Sequence, residues 1–463
     1  MVIVSLAAFL ASAAFAPIGI WYLAVIGYAI LFRKTASSKK SIWYFFLFGF
    51  IYNAIVLHWT GKYVGPFPWL LLSLLQSLFY LPVGYVAQRF KNIWWTIFML
   101  LTMELLRASF PFGGFGWTRI AFSQVQSPAL SIVSYGGVLA LSAATLIFAL
   151  LLSEISLRKL TALITIFITF FLLPANPQGS GSIKLLAIQG NTPSIGLNFN
   201  SRAKAVFNLH RDATYKFADQ GYNAIIWPEN AIDIDPASYP EVAQDIKDLN
   251  LKTGTPLIAG VVLTRNGSPE NASVFYDKSG EAKSTYIKRG LTPFGEYMPL
   301  RKIAELVSPY AKSVIDFKAG DQLQTHLIAN SQVGPIICYE IINDQLVREM
   351  AQGSQALIVQ TNSATFAGTA ESRQQLAITR IRAVENSRAV LSVSTIGISA
   401  FIDNNGRVVA QTKEDEQAAL VGELELNNHS TWASNLGALA NILVLALIAS
   451  LAIRRSRKVI RFE

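Results

Sequence analysis

The chain has one cysteine, Cys338, in 463 residues. A single thiol excludes an intramolecular disulfide, and it excludes zinc or iron–sulfur sites built from sets of cysteines. Cys338 lies in the run Ile336-Ile337-Cys338-Tyr339-Glu340-Ile341, whose β-branched and aromatic residues are typical of a buried strand. The thiol is therefore either an inert core residue or a nucleophile, and other parts of the chain must decide between these.

Histidine and charged residues are also scarce. The four histidines, His58, His210, His326 and His429, are scattered without the spacing of metal ligands, so we predict neither a metal site nor a cofactor. Charged residues make up 15% of the chain, against roughly 25% in ordinary soluble domains. This deficit indicates that part of the chain is suited to a lipid environment.

Long apolar stretches dominate the first 175 residues and return near the end of the chain. The first stretch is too long for one span and contains Pro17, so it predicts two helices joined by a tight turn. We therefore predict eight transmembrane helices, seven before residue 176 and one after residue 434. The stretches are residues 2–32, 42–60, 66–88, 92–110, 128–153, 160–174 and 435–453.

Residues 1–17 have a second interpretation. The run Ala13-Ala14-Phe15-Ala16-Pro17 resembles the small-residue cleavage site of a signal peptide. The basic residues that precede such a peptide are missing, and a retained helix agrees with the topology below. We therefore favour a retained span over cleavage.

The basic residues of the connections predict the orientation. With a cytoplasmic N-terminus, the inside connections carry 13 Lys and Arg residues and the short outside connections carry 3. The positive-inside rule then places both termini in the cytoplasm and residues 176–434 outside it. Residues 176–434 hold 23 Lys and Arg against 26 Asp and Glu, so the formal net charge of +10 arises in the membrane part and the tail. This distribution argues against a nucleic-acid partner.

Short apolar runs replace the long ones between residues 176 and 434. Strand-like runs alternate with stretches of helical spacing, and turn sequences at 277–280 and 403–406 predict hairpins. An α/β layered domain of about 250 residues, large enough for its own core, follows from this pattern. The predicted strands are residues 184–189, 224–227, 256–262, 335–338, 356–360 and 389–393, and the predicted helices are residues 201–219, 239–252, 343–352 and 371–387.

The full predicted organisation has four parts. Residues 1–175 form a seven-span membrane domain, and residues 176–434 form the extracytoplasmic domain. Residues 435–453 form a C-terminal transmembrane helix, and residues 454–463 form a basic cytoplasmic tail. Within the membrane domain, we expect Glu104 and Arg107 to form an i,i+3 pair or an interface anchor, with a lipid headgroup contact as the alternative.

Three polar side chains lie where strand-like runs end, which is the usual place for functional residues in open α/β sheets. Glu229 follows a proline that stops its strand, Lys288 lies in a Gly- and Pro-rich segment, and Cys338 follows Ile337. A thiol needs a base or a nearby cation to attack an acyl carbon at neutral pH. Glu229 is suited to accept the proton and Lys288 to stabilise an oxyanion. Taken singly, Glu229 and Lys288 are more readily explained as a surface carboxylate at a strand end and a solvated lysine.

The order of the motifs resembles a known family. Trp227-Pro228-Glu229-Asn230, the pattern Lys-x-x-Leu-x-Pro-Phe-Gly-Glu at 288–296, and Cys338-Tyr339-Glu340 resemble the Glu-Lys-Cys signature of the nitrilase, or carbon-nitrogen hydrolase, superfamily. Together with eight predicted spans, they make the whole chain similar to the apolipoprotein N-acyltransferase family.

This resemblance implies an αββα sandwich, ping-pong acyl transfer and a place in the bacterial cytoplasmic membrane. Cys338 would attack the sn-1 ester of a membrane phospholipid and form a thioester, and the N-terminal amine of a diacylglyceryl apolipoprotein would accept the acyl chain. Glu229 would act as general base and acid, and Lys288 would bind the oxyanion. Glu296, Tyr339 and Glu340 match supporting residues of the family.

Two loops depart from the family pattern. The family often has Asn-Asp-Ala-Trp-Phe-Gly where this chain has residues 362–368, and a common tryptophan is replaced near Leu197-Asn198-Phe199. We expect these changes to affect the choice of substrate rather than the chemistry.

Two other functions remain open. The same triad would serve a membrane-tethered amidase or nitrilase that uses water as acceptor, in which case the domain should be active without its spans. A non-catalytic membrane scaffold or transporter with a degenerate domain is the other alternative. The presence of Glu229, Lys288 and Cys338 and the scarcity of ionisable residues in the spans disfavour it.

Overall fold

A computed structural model describes residues 1–36, 38–62, 64–154, 156–195, 204–219, 221–307, 309–312 and 314–460. The chain divides into two compact units. The first comprises Met1–Ala175 together with Thr431–Glu463, and the second comprises Asn176–Ser430.

The first unit is helical, as its apolar stretches predict. Pro17 lies between the first two helices, so the predicted break of residues 2–32 is confirmed. The helices are α1 (Val2–Ala13), α2 (Tyr22–Thr35), α3 (Ser41–Val56), α4 (Pro66–Leu78), α5 (Tyr80–Phe90), α6 (Ile93–Arg107), α7 (Val133–Ser153), α8 (Leu157–Leu172), α14 (Trp432–Leu436) and α15 (Ala438–Ile460).

Not all of these helices have the dimensions of a membrane span. In the part of the chain that the structure describes, three segments are long and apolar enough to cross a bilayer: Pro66–Phe90, Leu130–Ser153 and Ala438–Arg457. The 12 residues of α1 rise about 18 Å, which is less than the roughly 30 Å of a hydrocarbon core. The bundle of eight spans therefore stays a prediction.

A buried polar network lies inside the helical unit. Glu104 and Arg107 are almost fully buried, but their i,i+3 ion pair is not among the contacts of the described residues. Glu104 instead accepts hydrogen bonds from Arg119 Nε at 3.5 Å, the backbone N–H of Ile120 at 2.9 Å and Ser142 Oγ at 2.6 Å. The i,i+3 pair is thus not found, because spacing along one helix does not show which distant residue a loop brings nearby, and the interface anchor and headgroup contact stay predictions.

Arg107 has different partners. Its guanidinium donates to Gln76 Oε1 at 3.2 Å and to both the hydroxyl and the carbonyl oxygen of Thr118. The Thr118 hydroxyl in turn donates to Asn53 Oδ1 at 2.7 Å. These bonds tie the connection after α6 to α3 and α4, and they satisfy polar groups that are costly to bury alone.

The second unit contains two six-stranded sheets. The first has the order β12-β1-β2-β3-β4-β5 and the second has the order β11-β10-β9-β8-β7-β6. The strands are β1 (Ser182–Gln189), β2 (Ala224–Ile226), β3 (Leu257–Arg265), β4 (Ser268–Tyr276), β5 (Ala282–Ile287), β6 (His326–Ile328), β7 (Ser331–Ile337), β8 (Ala356–Thr361), β9 (Val390–Ser394), β10 (Ala400–Ile402), β11 (Val408–Gln411) and β12 (Ala418–Glu425). The helices are α9 (Ala205–Phe217), α10 (Pro240–Thr253), α11 (Arg301–Val307), α12 (Asp344–Gln352) and α13 (Glu371–Asn386).

The centre of each sheet is parallel and its margins are antiparallel. Strands β1, β2 and β3 run parallel, as do β7, β8 and β9. The carboxyl ends of neighbouring parallel strands meet at one edge of a sheet, so residues that follow β7, β8 and β9 share an edge.

Alternation along β1 defines the layers. Leu186 and Ile188 pack on one face with residues of α9 and α10. Leu185 and Ala187 point to the other face and pack between the two sheets, because successive strand residues face opposite sides. Helices α12 and α13 contact β7 and β9 of the second sheet. The predicted α/β domain is confirmed, and its layers are helix, sheet, sheet and helix.

The predicted strands and hairpins of this unit are present, and their ends differ by a few residues. The predicted helices correspond to α9, α10, α12 and α13, although residues 201–203 lie outside the described residues. One strand prediction is wrong in part, because β7 ends at Ile337 and Cys338 begins a 3₁₀ helix, Cys338–Ile342.

The Glu104 network generates a stability prediction. We expect Glu104→Ala to lower the free energy of unfolding by about 3 kcal/mol, because Arg119 stays buried without this carboxylate. Glu104→Gln should cost less, since its amide oxygen still accepts hydrogen bonds. Thermal unfolding of the full chain in detergent measures both changes.

Glu154→Ala is the matched control, because Glu154 forms an exposed ion pair with Lys159. It should leave the unfolding temperature unchanged. If Glu104→Ala unfolds at the same temperature as the wild type, the network does not contribute to stability.

Candidate active site

The segment after β2 places a carboxylate at the sheet edge. Trp227 is fully buried and its indole N–H donates to Thr214 Oγ1 at 2.9 Å. Pro228 then ends the strand because it has no N–H for the ladder. Glu229 follows and is 5% exposed. Gly260 on β3 permits this path, since a Cβ atom there would lie 2.5 Å from Glu229 Cα.

Lys288 follows β5 and is held between two carboxylates. Its ammonium lies 3.2 Å from Glu229 Oε1 and 2.8 Å from Glu296 Oε2, and the side chain is 1% exposed. Asn271 on β4 joins the same group, because its Nδ2 donates to Glu229 at 2.7 Å and to Glu296 at 2.8 Å. The arrangement fixes Glu229, Lys288 and Glu296 relative to one another.

The charges of this group stabilise each other. Burial alone would lower the pKa of Lys288, but the carboxylates of Glu229 and Glu296 outweigh it and raise the pKa above its ordinary value. Burial would likewise raise the pKa of Glu296, but Lys288 holds it below its ordinary value. Lys288 is therefore a permanent cation at this site.

Cys338 is half-buried and lies at the turn that follows β7. Its φ of +48° falls in the left-handed region, which is uncommon for a residue with a side chain and is concentrated at functional sites. The strand ends at Ile337 and a 3₁₀ helix begins at Cys338, so the thiol lies at the carboxyl end of the strand rather than within it. Gln375 on α13 donates from Nε2 to Sγ at 3.9 Å.

Glu340 anchors this turn. It is fully buried, and one of its oxygens accepts from Tyr286 and from two backbone N–H groups just after Lys288, while the other accepts from the strand end before Cys338. Glu340 therefore ties the Lys288 segment to the Cys338 turn. The donors are Tyr286 OH at 2.8 Å, Arg289 N at 2.7 Å, Gly290 N at 2.9 Å and Ile337 N at 2.8 Å.

The environment of the Cys338 thiol disfavours its charged, thiolate form. Burial and the Glu229 carboxylate raise the pKa of Cys338 well above its ordinary value, and Lys288 counteracts them only partly. The thiol is therefore protonated at neutral pH in the resting state, and it needs a base when it reacts. Tyr339 is half-buried beside it, and burial raises the pKa of its phenol.

The structure brings the six predicted site residues into one region, and it adds three that sequence reasoning missed. Asn271 could have been noticed because Asn is disfavoured within strands. Gln375 and Glu371 gave no signal, since polar residues are ordinary in a helix and an acidic residue is ordinary in its first turn. No cluster of His, Cys, Asp and Glu suited to a metal ion occurs among the described residues.

The two divergent loops differ in what the structure shows. Residues 197–199 lie outside the described residues. In residues 362–368, Ala364–Phe366 forms a 3₁₀ helix and Ser363 is buried. This loop follows β8, so it shares the sheet edge that carries Cys338.

Comparisons with known proteins agree with this architecture. A profile of the carbon-nitrogen hydrolase family matches residues 185–434, and a profile of the apolipoprotein N-acyltransferase N-terminal domain matches residues 7–151. An apolipoprotein N-acyltransferase of Mycolicibacterium smegmatis is 31% identical over 95% of this chain and 82% of its own length. One from Pseudomonas aeruginosa is 28% identical over 89% of this chain and 87% of its own length.

Among solved structures, an amidase from Nesterenkonia sp. is 18% identical, with a TM-score of 0.42, over 56% of this chain and 96% of its own. The fold of residues 176–430 and the family profile define a carbon-nitrogen hydrolase domain. The similarity of the full chain then decides the particular group: the chain belongs to the apolipoprotein N-acyltransferase family.

The electrostatics of Cys338 predict an unusual effect of one substitution. Glu229→Gln removes a charge that raises the pKa of Cys338 and leaves the Lys288 charge in place. We therefore expect iodoacetamide to alkylate Cys338 faster in this variant at neutral pH, by about tenfold for each unit by which the pKa falls. Mass spectrometry over pH 6 to 10 follows the reaction without interference, since the chain has no other thiol.

Glu349→Gln, which alters a partly exposed ion pair with Arg289, is the control for this measurement. Its alkylation rate should equal that of the wild type. Unchanged or slower alkylation of Glu229→Gln would mean that Glu229 does not act on the thiol.

The hydrogen bonds of Glu340 predict that its substitution lowers the stability of the protein. In Glu340→Ala, buried donors that include two backbone N–H groups after Lys288 lose their acceptor, so we expect unfolding to become easier by about 3 kcal/mol. Glu349→Ala should leave stability nearly unchanged. Thermal unfolding in detergent compares the two, and equal unfolding temperatures would contradict the anchoring role.

Proposed function

We propose that this protein transfers an acyl chain from a membrane phospholipid to the N-terminal amine of the diacylglyceryl-cysteine of an apolipoprotein. Family membership supports the overall reaction. The single observation that supports the mechanism is Lys288, buried between Glu229 and Glu296 and acting electrostatically on the Cys338 thiol.

In the first half-reaction, Glu229 takes the proton of Cys338 and the thiolate attacks the sn-1 ester carbonyl of the phospholipid. The carbon–sulfur bond forms as the carbon–oxygen bond breaks. The leaving alkoxide takes the proton back from Glu229, so a lysophospholipid departs and a thioester remains. Proton transfer to Glu229 must come first, because Cys338 is protonated at rest and the thiolate forms only when the base takes its proton.

Lys288 stabilises the charge that develops on the carbonyl oxygen. A fixed cation in a buried site does this better than water, because it needs no reorganisation as the charge appears. Asn271 and Glu296 act as positioning residues, since they hold Lys288 and Glu229 in place. Glu340 positions the Cys338 turn, and Tyr339 lines the site beside it.

In the second half-reaction, the acceptor amine attacks the thioester. The carbon–nitrogen bond forms, the carbon–sulfur bond breaks and the Cys338 thiol is restored. An amine acceptor with this triad gives ping-pong kinetics, because one product leaves before the second substrate reacts.

The location follows from the same reaction. We propose a multi-pass protein of the bacterial cytoplasmic membrane, with eight spans, both termini in the cytoplasm and residues 176–434 on the extracytoplasmic side. Residues 1–175 and 435–453 hold the domain at the membrane, where the phospholipid donor and the lipid-modified acceptor both reside. Residues 454–463 form the basic cytoplasmic tail.

Labelled phospholipid tests this proposal. Incubation with the full chain in detergent micelles should label Cys338, hydroxylamine should remove the label, and a diacylglyceryl-cysteine peptide should receive it as an amide. Cys338→Ala should take up no label, and Glu229→Gln should take it up at least about 100-fold more slowly. Mass spectrometry identifies the labelled residue.

Three outcomes would contradict the proposal. Absence of a label on folded wild-type protein would exclude the acyl-enzyme. Label in Cys338→Ala would place the nucleophile elsewhere. Release of free fatty acid with no amide, even with the peptide in excess, would show that the acceptor is water and the protein is an amidase-type hydrolase.

A further inference from the structure

A second buried carboxyl group lies beside the nucleophile. Glu371 is the first residue of α13 and is 3% exposed. Gln375 lies one turn further along the helix, and its Nε2 contacts Cys338 Sγ at 3.9 Å. Residues four apart share a helix face, with Cβ atoms about 5–6 Å apart. Glu371 therefore belongs to the face of α13 that contacts the thiol.

The surroundings of Glu371 are polar but not cationic. The hydroxyls of Ser363 and Ser372 hydrogen-bond its carboxylate, the latter at 3.4 Å. Gly397 lies against the same serines, since a Cβ atom there would be 2.7 Å from Ser372 Oγ and 2.8 Å from Ser363 Oγ. The ion pairs of the described residues do not include Glu371, in contrast with Glu229.

The two carboxyl groups therefore differ in their charged partners. Burial raises the pKa of Glu371 to about 7, and the hydroxyls of Ser363 and Ser372 only partly oppose it. The other ionisable groups that act on it are Glu229, Glu414 and Cys338, and Glu414 is paired with Arg373 at 3.0 Å. Near neutral pH, Glu371 therefore exchanges a proton readily, whereas Glu229 forms an ion pair with the Lys288 ammonium at 3.2 Å.

The second half-reaction requires two proton acceptors. An N-terminal amine has an ordinary pKa of roughly 7.7–8.0, so at neutral pH the acceptor arrives mainly as an ammonium. One proton must leave before the nitrogen can attack. Another leaves as the amide forms, and the departing thiolate takes up a proton. Phospholipid cleavage, in contrast, needs only one base.

We propose that Glu371 receives the first of these protons and thereby recognises the acceptor as an ammonium. This proposal rests on the function proposed above. The Glu371 carboxylate binds the ammonium and takes one proton, which later passes to solvent. The free amine attacks the thioester, Glu229 takes the second proton and delivers it to the Cys338 thiolate. Three protons on the nitrogen thus become one on the amide, one on the thiol and one released.

The proposal predicts that Glu371→Gln affects the two half-reactions differently. In Glu371→Gln, acylation of Cys338 by labelled phospholipid should be no slower than in the wild type, since the lost carboxylate raises the pKa of the thiol. Transfer to a diacylglyceryl-cysteine peptide should fall about 100-fold at pH 6.5, the size expected for loss of a general base. Above about pH 9 the amine is already uncharged, so the difference should nearly vanish. Rapid quenching measures the acylation rate from the free enzyme and the transfer rate from the preformed acyl-enzyme.

Hydroxylamine provides an internal comparison. It is largely uncharged at neutral pH, so its reaction with the Cys338 thioester needs no prior loss of a proton. Glu371→Gln should therefore react with hydroxylamine at the wild-type rate under the conditions where peptide transfer is slow. Glu371→Asp, which keeps a carboxylate, should recover part of the transfer rate. As in the wild type, the transfer rate of this variant should fall below pH 7. Glu241→Gln, at an exposed ion pair on α10, should behave as wild type.

Each failure has a distinct signature. A wild-type protein that forms no thioester overturns the proposed function, whatever Glu371 does. If the wild type forms the thioester but Glu371→Gln loses acylation, peptide transfer and the hydroxylamine reaction equally, the role of Glu371 is overturned, because such a loss is structural. A transfer defect that persists unchanged above pH 9 overturns it as well. If Glu371→Gln does not fold, the pH profile of Glu371→Asp decides the question.

Discussion

The burial of one ammonium group is the constraint on which the rest of the α/β domain depends. Lys288 is 1% exposed, and a cation so far from water is tolerable only with compensating charge and hydrogen bonds. Glu229 and Glu296 supply that charge from different segments, and Asn271 holds both carboxylates in place. The order of strands in the first sheet brings these segments together. The compensation of the Lys288 charge and the geometry of the candidate active site are therefore the same requirement.

The same group explains why Cys338 rests as a thiol. Lys288 is already engaged by two carboxylates, so its charge only partly offsets the burial of Cys338 and the effect of Glu229. A protonated thiol is less open to oxidation or chance modification than a thiolate, and it becomes reactive when a base and an ester are present together. Glu371 forms no ion pair with Lys288 in the described residues, and burial raises its pKa to about 7, so it can change its protonation state at neutral pH.

Sequence reasoning succeeded where the information is local. Periodicity predicted the strands on both sides of Glu229 and the helix that became α13, because burial on one face leaves a repeating pattern. The motifs around Glu229, Lys288 and Cys338 predicted a common site. It failed where a contact depends on distant segments: Glu104 pairs with Arg119 rather than Arg107, and Asn271 bridges two carboxylates from a strand that carried no recognisable pattern.

The sequence by itself determined the apolar composition of the first unit, the α/β class of the second unit and the positions of the motifs that contain Glu229, Lys288 and Cys338. These depend on residue type and spacing, which the chain displays directly. Only the tertiary structure decided that β7 ends at Ile337, so that Cys338 lies outside the strand, and that Glu371 is buried one turn before the Gln375 that contacts the thiol. Burial and proximity arise when sheets and helices pack, and the pKa of a carboxyl group depends on what packs around it rather than on its neighbours in sequence.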